Sequence, residues 1–374
     1  MLRLSGVESS ARGHLEAPLC LSALAPVCFS ALAFTKKRKH EDTKDTKTRR
    51  PEDTKRSWVG ACASIEMKTA FLFPGQGSQV VGMGKDLYAI PAARDVFDEA
   101  DRVLGVRLTG LCFEGPEEEL KLTANTQPAI LTVSIAAVRA LTAAGVRPDY
   151  VAGHSLGEYS ALVAAGGLRF EDAVQMVRRR GQFMQEAVPP GEGAMAALTG
   201  CDIELVNSVC RDASALGVCA PANLNSPSQT VIAGHRPAVE RAVELAKACG
   251  ARRTVMLAVS APFHCELMRP AAERLAPLLA EVEFQDLHCP LVTNVDAVMI
   301  SSGVEARDAL IRQVVSPVRW GDSIRLLLDE GTGRFIEVGP GKVLSGLVRQ
   351  ISRECEVFNV GDPESLDATV KTLQ

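Results

Sequence analysis

The chain has 374 residues, 47% of them hydrophobic and 23% charged, with a formal net charge of −4. That is enough apolar material for one large or two modest globular domains, and the slightly acidic balance gives no general attraction to nucleic acid. Aromatics make up only 5%, which argues against base-stacking platforms, and the eleven cysteines are odd in number, scattered and without a CxxC pair, which argues for a reducing compartment and against a disulfide framework or structural zinc site.

Residues 1–66 differ from the rest. An uncharged apolar run, PLCLSALAPVCFSALAF (18–34), is slightly short for a membrane helix and long for a signal-peptide core. The Thr-rich, mixed-charge stretch 36–56 has no apolar period, the composition of a disordered segment. Three readings stay open for this extension: a targeting segment for an organelle, a membrane anchor, or upstream sequence joined by a wrong start codon at a chain that properly begins at Met67. Its acidic residues, such as Glu41, Asp42 and Asp45, count against a transit peptide.

From Met67 the pattern is that of an α/β protein. KTAFLF (68–73) reads as a buried strand running into the Gly-rich turn PGQGSQ, followed by helical patterns at 91–104 and 128–144. YVAG (150–153) is a short strand ending at GHSLG, with a helix starting just after Ser155 and another over 171–188. Strand, helix and strand signals follow at 193–198, 202–213 and 216–222, then a strand at 230–234, a helix at 237–249 and a strand at 252–257. This β-α-β-β-α-β order predicts a ferredoxin-like subdomain, about residues 190–260, inserted in a larger body. A helix at 266–280, an apolar segment PLVTNV (290–295), helices near 305–314 and 321–330, a strand at 334–338 and a helix after GPGK complete the reading. Alternating β and α elements predict a largely parallel sheet.

GHSLG (153–157) fits G-x-S-x-G, the sharp strand-to-helix turn whose flanking glycines avoid clashes and leave a serine hydroxyl exposed at a helix N-terminus. Ser155 is therefore either a nucleophile or a simple helix cap, and the apolar strand before it and the helix LGEYSALVAA after it favour the nucleophile. A serine needs a base. Among the six histidines, His264 stands where an apolar strand ends at a proline and a helix begins, a position that suits a loop-borne catalytic group; His154, His235 and His288 remain alternatives. In the helix 171–188, Ala173, Val177, Arg180 and Met184 share one stripe, while Arg178 and Arg179 point elsewhere. A buried guanidinium needs a carboxylate or phosphate partner: Arg180 is either in an internal salt bridge or snorkelling to the surface, or it clamps the carboxylate of a substrate. PGQGSQVVGMGK (74–85) fails both nucleotide-loop patterns, because Met83 and Val80 stand at decisive places. No metal constellation appears.

With those residues identified, the chain resembles the malonyl-CoA:acyl carrier protein transacylase family of fatty acid synthesis. The resemblance covers about residues 67–355 and rests on FLFPGQGSQ (71–79), CFEGPEEEL (112–120), NTQPAI (125–130), GHSLGEYSALVAAG (153–166), RRRGQFMQEAV (178–188), GAMAAL (193–198), ANLNSPSQTVIAG (222–234), FHCELMRPAA (263–272), RDALIRQ (307–313) and EVGPGKVLSGL (337–347). It implies an α/β-hydrolase-like large subdomain with the ferredoxin-like insertion. By the same resemblance, Ser155 is acylated, His264 is its base, and the backbone carbonyl of Gln313 orients the histidine in place of an acidic triad member. It further implies an oxyanion hole at the N–H groups of Gln76 and Leu156, and a malonyl carboxylate held by Arg180. Gln127, Asn223 and Asn225 match positions near the site. Phe263 before the histidine goes with malonyl rather than methylmalonyl in related polyketide domains, since the ring crowds a branched group.

The expected partners are malonyl-CoA and acyl carrier protein, with no bound cofactor beyond the CoA and phosphopantetheine of the substrates, no metal, no nucleic acid and a monomeric state. The expected location is the cytoplasm, or a plastid or mitochondrion if residues 1–66 are a targeting segment. A serine hydrolase, a transferase of another acyl group and a non-catalytic scaffold are the rivals. Arg178, Arg179, Arg252, Arg253 and Lys342 are candidates for docking an acidic carrier, or are solvated surface charges.

Overall fold

The structure is a computed structural model that describes residues 67–373. The apolar run 18–34 and the charged stretch 36–56 lie outside the described residues, so the three readings of that extension stand as stated.

Among the described residues, ten strands divide into two sheets. The larger comprises β1 (Lys68–Phe73), β2 (Tyr150–Gly153), β7 (Leu291–Val292), β8 (Met299–Ile300), β9 (Thr332–Val338) and β10 (Glu356–Val360), in the order β10-β9-β1-β2-β7-β8. All neighbours are parallel except the short β7–β8 pair. A parallel sheet is covered on both faces, which is why β1 is a continuous apolar run rather than an alternating one. Phe71 and Phe73 face a core shared with the helix Thr123–Ala143, whereas Ala70 and Leu72 face a second core built on Trp320, Leu327 and Leu344.

The smaller sheet holds β3 (Gly193–Thr199), β4 (Cys219–Ser226), β5 (Gln229–His235) and β6 (Arg253–Met256), antiparallel in the order β4-β5-β3-β6. With the helices Ile203–Ala213 and Arg236–Ala248 between its strands, this is the ferredoxin-like topology expected from the element order. Alternate residues Ala194, Ala196 and Leu198 of β3 pack under those helices with Val206, Val239 and Val243. β4 is tied to the larger body by backbone bonds: Val318 N donates to Ala222 O and Leu224 N to Val318 O, both at 2.8 Å.

Four local expectations shift. The helix read as 128–144 begins at Thr123, because Pro128 lies inside its second turn, where it removes one backbone bond without ending the helix. The strand read as 216–222 runs from Cys219 to Ser226; Gly217 at φ +123° is a turn, and the shift brings Asn223 and Asn225 into the strand. Of the apolar segment 290–295 only Leu291–Val292 is strand. The edge strand β10 and the terminal helix Pro363–Leu373 were not expected at all.

Candidate active site

β2 delivers the chain to the site at a bend with almost no clearance. A Cβ on Gly153 would lie 1.9 Å from both the carbonyl carbon and the oxygen of Gly157, and one on Gly157 would lie 2.0 Å from Phe73 O. Both obstacles are backbone, so neither can move aside. Between the two glycines Ser155 is held at φ +53°, a left-handed conformation that costs a non-glycine residue about 1–2 kcal/mol. Asn294 clamps the strained turn, accepting from Ser155 N at 2.7 Å and donating through Nδ2 to Gly153 O at 2.6 Å. Substituting Gly153→Ala is expected to destabilise the fold by at least about 3 kcal/mol; a melting temperature equal to that of the unsubstituted protein would contradict this account of the bend.

Ser155 Oγ lies 2.6 Å from Nε2 of His264. Nδ1 of the same ring lies 3.0 Å from the backbone carbonyl of Gln313. A carbonyl only accepts, so Nδ1 carries the proton and Nε2 offers its lone pair to the serine hydroxyl. Burial, reinforced by the nearby positive charge of Arg180, pushes the His264 imidazole down to about 3. The ring is thus neutral at physiological pH and able to accept a proton. His264 itself sits at φ +61°, so both members of the pair are held by strained backbone.

Arg180 is 1% exposed at the centre of the buried face of the helix Phe170–Glu186. Its Nη1 donates to Gln127 Oε1 at 2.8 Å, and its Nη2 to Gln313 Oε1 at 2.8 Å and to Ser155 Oγ at 3.1 Å. All three direct acceptors are neutral, and Nε has no partner among the described residues. An internal carboxylate bonded to Arg180, one of the readings of the sequence, is not there. Arg180, Gln127, Ser155 and His264 line one cavity of about 370 Å³, together with Phe263 and Asn223. Asn223 Oδ1 is buried there without a partner. This is a polar floor with a cation on it, beneath apolar walls such as Met184, Met195 and Leu257.

Comparison with known proteins agrees with this geometry. Residues 70–366 match the family model of the acyl transferase domain. The chain belongs to the acyl transferase family. It is 52% identical over 309 residues to the malonyl CoA-acyl carrier protein transacylase of Bacillus subtilis strain 168, covering 82% of this chain and 98% of that protein. The protein of the same description from Escherichia coli strain K12 is 48% identical over 304 residues, covering 81% and 98%. Among solved structures, a malonyl-transacylase in complex with its type II PKS acyl-carrier protein superposes with a TM-score of 0.80 at 45% identity, covering 82% of this chain and 99% of that one.

Within this acyl transferase, the remaining predicted positions divide. Gln76 and Leu156 both line the cavity, Gln76 on the loop after β1 and Leu156 at the start of the helix Gly157–Ala164. Gly75 lets that loop touch the bend, since a Cβ there would meet His154 O at 2.4 Å. Asn225 does not line the cavity. Its Oδ1 accepts from His154 Nε2 at 3.0 Å, and the His154 ring, which does line the cavity, lies 5.5 Å from that of Trp320. Asn225, expected beside the substrate, is thus placed one contact away from the cavity, on His154. Arg179, Arg252, Arg253 and Lys342 are exposed and Arg178 is half-buried, reaching Asn125 Oδ1 at 3.5 Å.

Two side chains that brace the site of the acyl transferase escaped the sequence reading. Asn294 is the next-to-last residue of the apolar segment PLVTNV, and an amide inside that segment was the only signal in the sequence. Glu158 is a fully buried carboxylate in the helix Gly157–Ala164 and its one charged residue. A lone charge in that mostly apolar stretch, three residues after the motif serine, was a signal of the same kind as Arg180 on its stripe.

Proposed function

We propose that this enzyme transfers a malonyl group from malonyl-CoA to the phosphopantetheine thiol of an acyl carrier protein, for fatty acid synthesis, through an ester on Ser155. The single observation that carries this reading is Arg180: a buried guanidinium within hydrogen-bonding distance of the nucleophile and bonded only to neutral groups suits an acyl chain that ends in a carboxylate. The carboxylate docks on Arg180, displacing the guanidinium from Ser155 Oγ and leaving the thioester carbon over the serine. Oγ attacks that carbon as Nε2 of His264 takes the hydroxyl proton. The oxyanion rests on the N–H groups of Gln76 and Leu156, aided by the N-terminal end of the helix Gly157–Ala164. Collapse breaks the C–S bond, and the proton on His264 goes to the departing CoA sulfur. In the second half the carrier thiol gives its proton to His264 and attacks the ester, and Ser155 leaves with that proton restored.

The names and titles of the similar proteins support malonyl-CoA and acyl carrier protein as the substrates. Phe263 in the cavity wall supports a linear over a branched acyl group. The proposal includes a monomeric enzyme. It acts in the cytoplasm, or in an organelle if residues 1–66 are a targeting segment. Among the described residues no helix is long and apolar enough to cross a membrane, and no cluster of three or more His, Cys, Asp or Glu side chains could hold a metal.

The test follows radiolabelled malonyl-CoA with and without holo carrier protein. Malonyl-carrier product in excess of free malonate is expected. Release of malonate at the same rate whether or not carrier is present would make the protein a hydrolase.

A further inference from the structure

Glu158 is fully buried in the first turn of the nucleophile helix and takes no part in the scheme above. Its Oε2 accepts from Gln313 Nε2 at 2.7 Å and from Asn294 N at 3.2 Å. The same Gln313 amide turns its Oε1 to Arg180 and its Nε2 also to Ser155 O, at 3.0 Å. One amide thus joins the carboxylate, the guanidinium and the nucleophile. Glu158 Oε1 is buried with no partner among the described residues. In the resting site one buried negative charge therefore answers one buried positive charge at one remove, and a malonyl group would bring a second negative charge into the same enclosure.

We propose that Glu158 is the resting counter-charge of Arg180, and that it takes up a proton when a substrate carboxylate engages the guanidinium. The assignment rests on the malonyl reading of the site. Two carboxylates sharing a low-dielectric enclosure with a single cation cannot both stay ionised cheaply. Glu158 is the one that yields, because the substrate carboxylate contacts Arg180 directly and Glu158 reaches it only through Gln313. A proton on Oε1 costs no hydrogen bond, since both existing bonds are at Oε2. The proton comes from solvent, so binding consumes one H⁺ and changes the net charge of the site by nothing. In the resting protein, burial already holds the Glu158 carboxyl up at about 7, against the opposing pull of Gln313, Asn294 and Arg180. The other titratable or charged groups around it are Tyr159 on its own helix, His264, Asp296 and Arg312. Burial pushes the Tyr159 phenol far up and the His264 ring far down, and Asp296 and Arg312 are paired with each other. None of these four changes charge near neutrality.

Glu158 acts through Gln313 and is a positioning residue, so its test needs a readout that a structural role would not move. Proton uptake is such a readout. Malonyl-pantetheine, which carries no titrating phosphate, is bound to full-length Ser155→Ala protein in buffers of different ionisation enthalpy by calorimetry. The expected uptake is near zero at about pH 5.5, where Glu158 is already protonated, and rises to most of one proton at about pH 8. Affinity should fall up to about tenfold per pH unit above about pH 7. Adding Glu158→Gln, an isostere of the protonated acid that keeps both bonds, should abolish the uptake and flatten the affinity, leaving it about tenfold tighter than the Glu158 form at about pH 8. Binding without uptake at about pH 8, or uptake that survives Glu158→Gln through protonation of His264, would overturn the proposal alone. Absence of any binding would instead defeat the malonyl reading and this assignment with it. If the Glu158→Gln protein fails to fold, the pH series on the Ser155→Ala protein still decides, because uptake that does not rise between about pH 5.5 and 8 excludes Glu158 as the acceptor.

Discussion

Ser155→Ala protein is expected to form no malonyl ester and to lose malonyl transfer by at least about a thousandfold, while keeping its fold. The size follows from the loss of the covalent route itself: the oxyanion donors and the binding cavity remain, and these alone retain only a small share of the rate enhancement. The fold should persist because alanine removes just the hydroxyl. Its hydrogen bonds run to His264 and Arg180, whereas the turn is clamped through the backbone N–H to Asn294 and by the glycines on either side. Alanine still has to adopt φ +53°, so no large gain in stability should accompany the loss of activity. Mass spectrometry of the intact protein after mixing with malonyl-CoA checks both halves. An 86-dalton-class adduct of one malonyl group, about that size by its formula, should appear on the unsubstituted protein and be missing from the variant. An adduct of equal yield on both would remove Ser155 from the mechanism.

Arg180→Ala is expected to lower kcat/KM for malonyl-CoA by two to three orders of magnitude, about 3–4 kcal/mol, with most of the loss in malonyl recognition. Acyl-CoA donors without a terminal carboxylate should lose far less, so the malonyl-to-acetyl preference should collapse. The variant should also lose stability, because Gln127 Oε1 and Gln313 Oε1 lose their donor and the buried Glu158 loses its counter-charge. Arg180→Met, which fills more of the volume, should melt below the unsubstituted protein while remaining folded, so that the malonyl-to-acetyl ratio can still be read on it. Equal losses for malonyl and acetyl donors would mean that the guanidinium holds the site together and does not select the substrate.

The parts of this architecture that were legible in sequence are those encoded locally. β1 and β2 announce themselves as uninterrupted apolar runs because both faces of a parallel sheet are covered. The bend is legible because its G-x-S-x-G spacing is local, Gly153 being forced by the backbone of Gly157 four residues on, and Arg180 because one helical stripe sets it among Ala173, Val177 and Met184. His264 could be favoured by position but not fixed, since its partner Ser155 is 109 residues away. The carbonyl of Gln313 came only from family resemblance; no residue pattern marks a main-chain oxygen, and its contact to His264 spans 49 residues. Asn294 and Glu158 depend on a contact across 136 residues. β10 was missed because it is a short, half-exposed edge strand, and EVFNV mixes polar and apolar residues too briefly to mark a period.

The backbone bonds that tie Ala222 and Leu224 of β4 to Val318 have a kinetic meaning. They fasten the wall that carries Asn223 to the body that carries Trp320, so the enclosure is framed by ladder bonds and not by a hinge. At about 370 Å³ it lies near the small end of ligand cavities, with room for one acylated arm at a time. Donor and acceptor must then queue for the same berth, and spent CoA competes with the incoming carrier arm for as long as it lingers. Under that constraint alternation between the two half-reactions is enforced by occupancy, and a surplus of free CoA slows flux simply by filling the cavity.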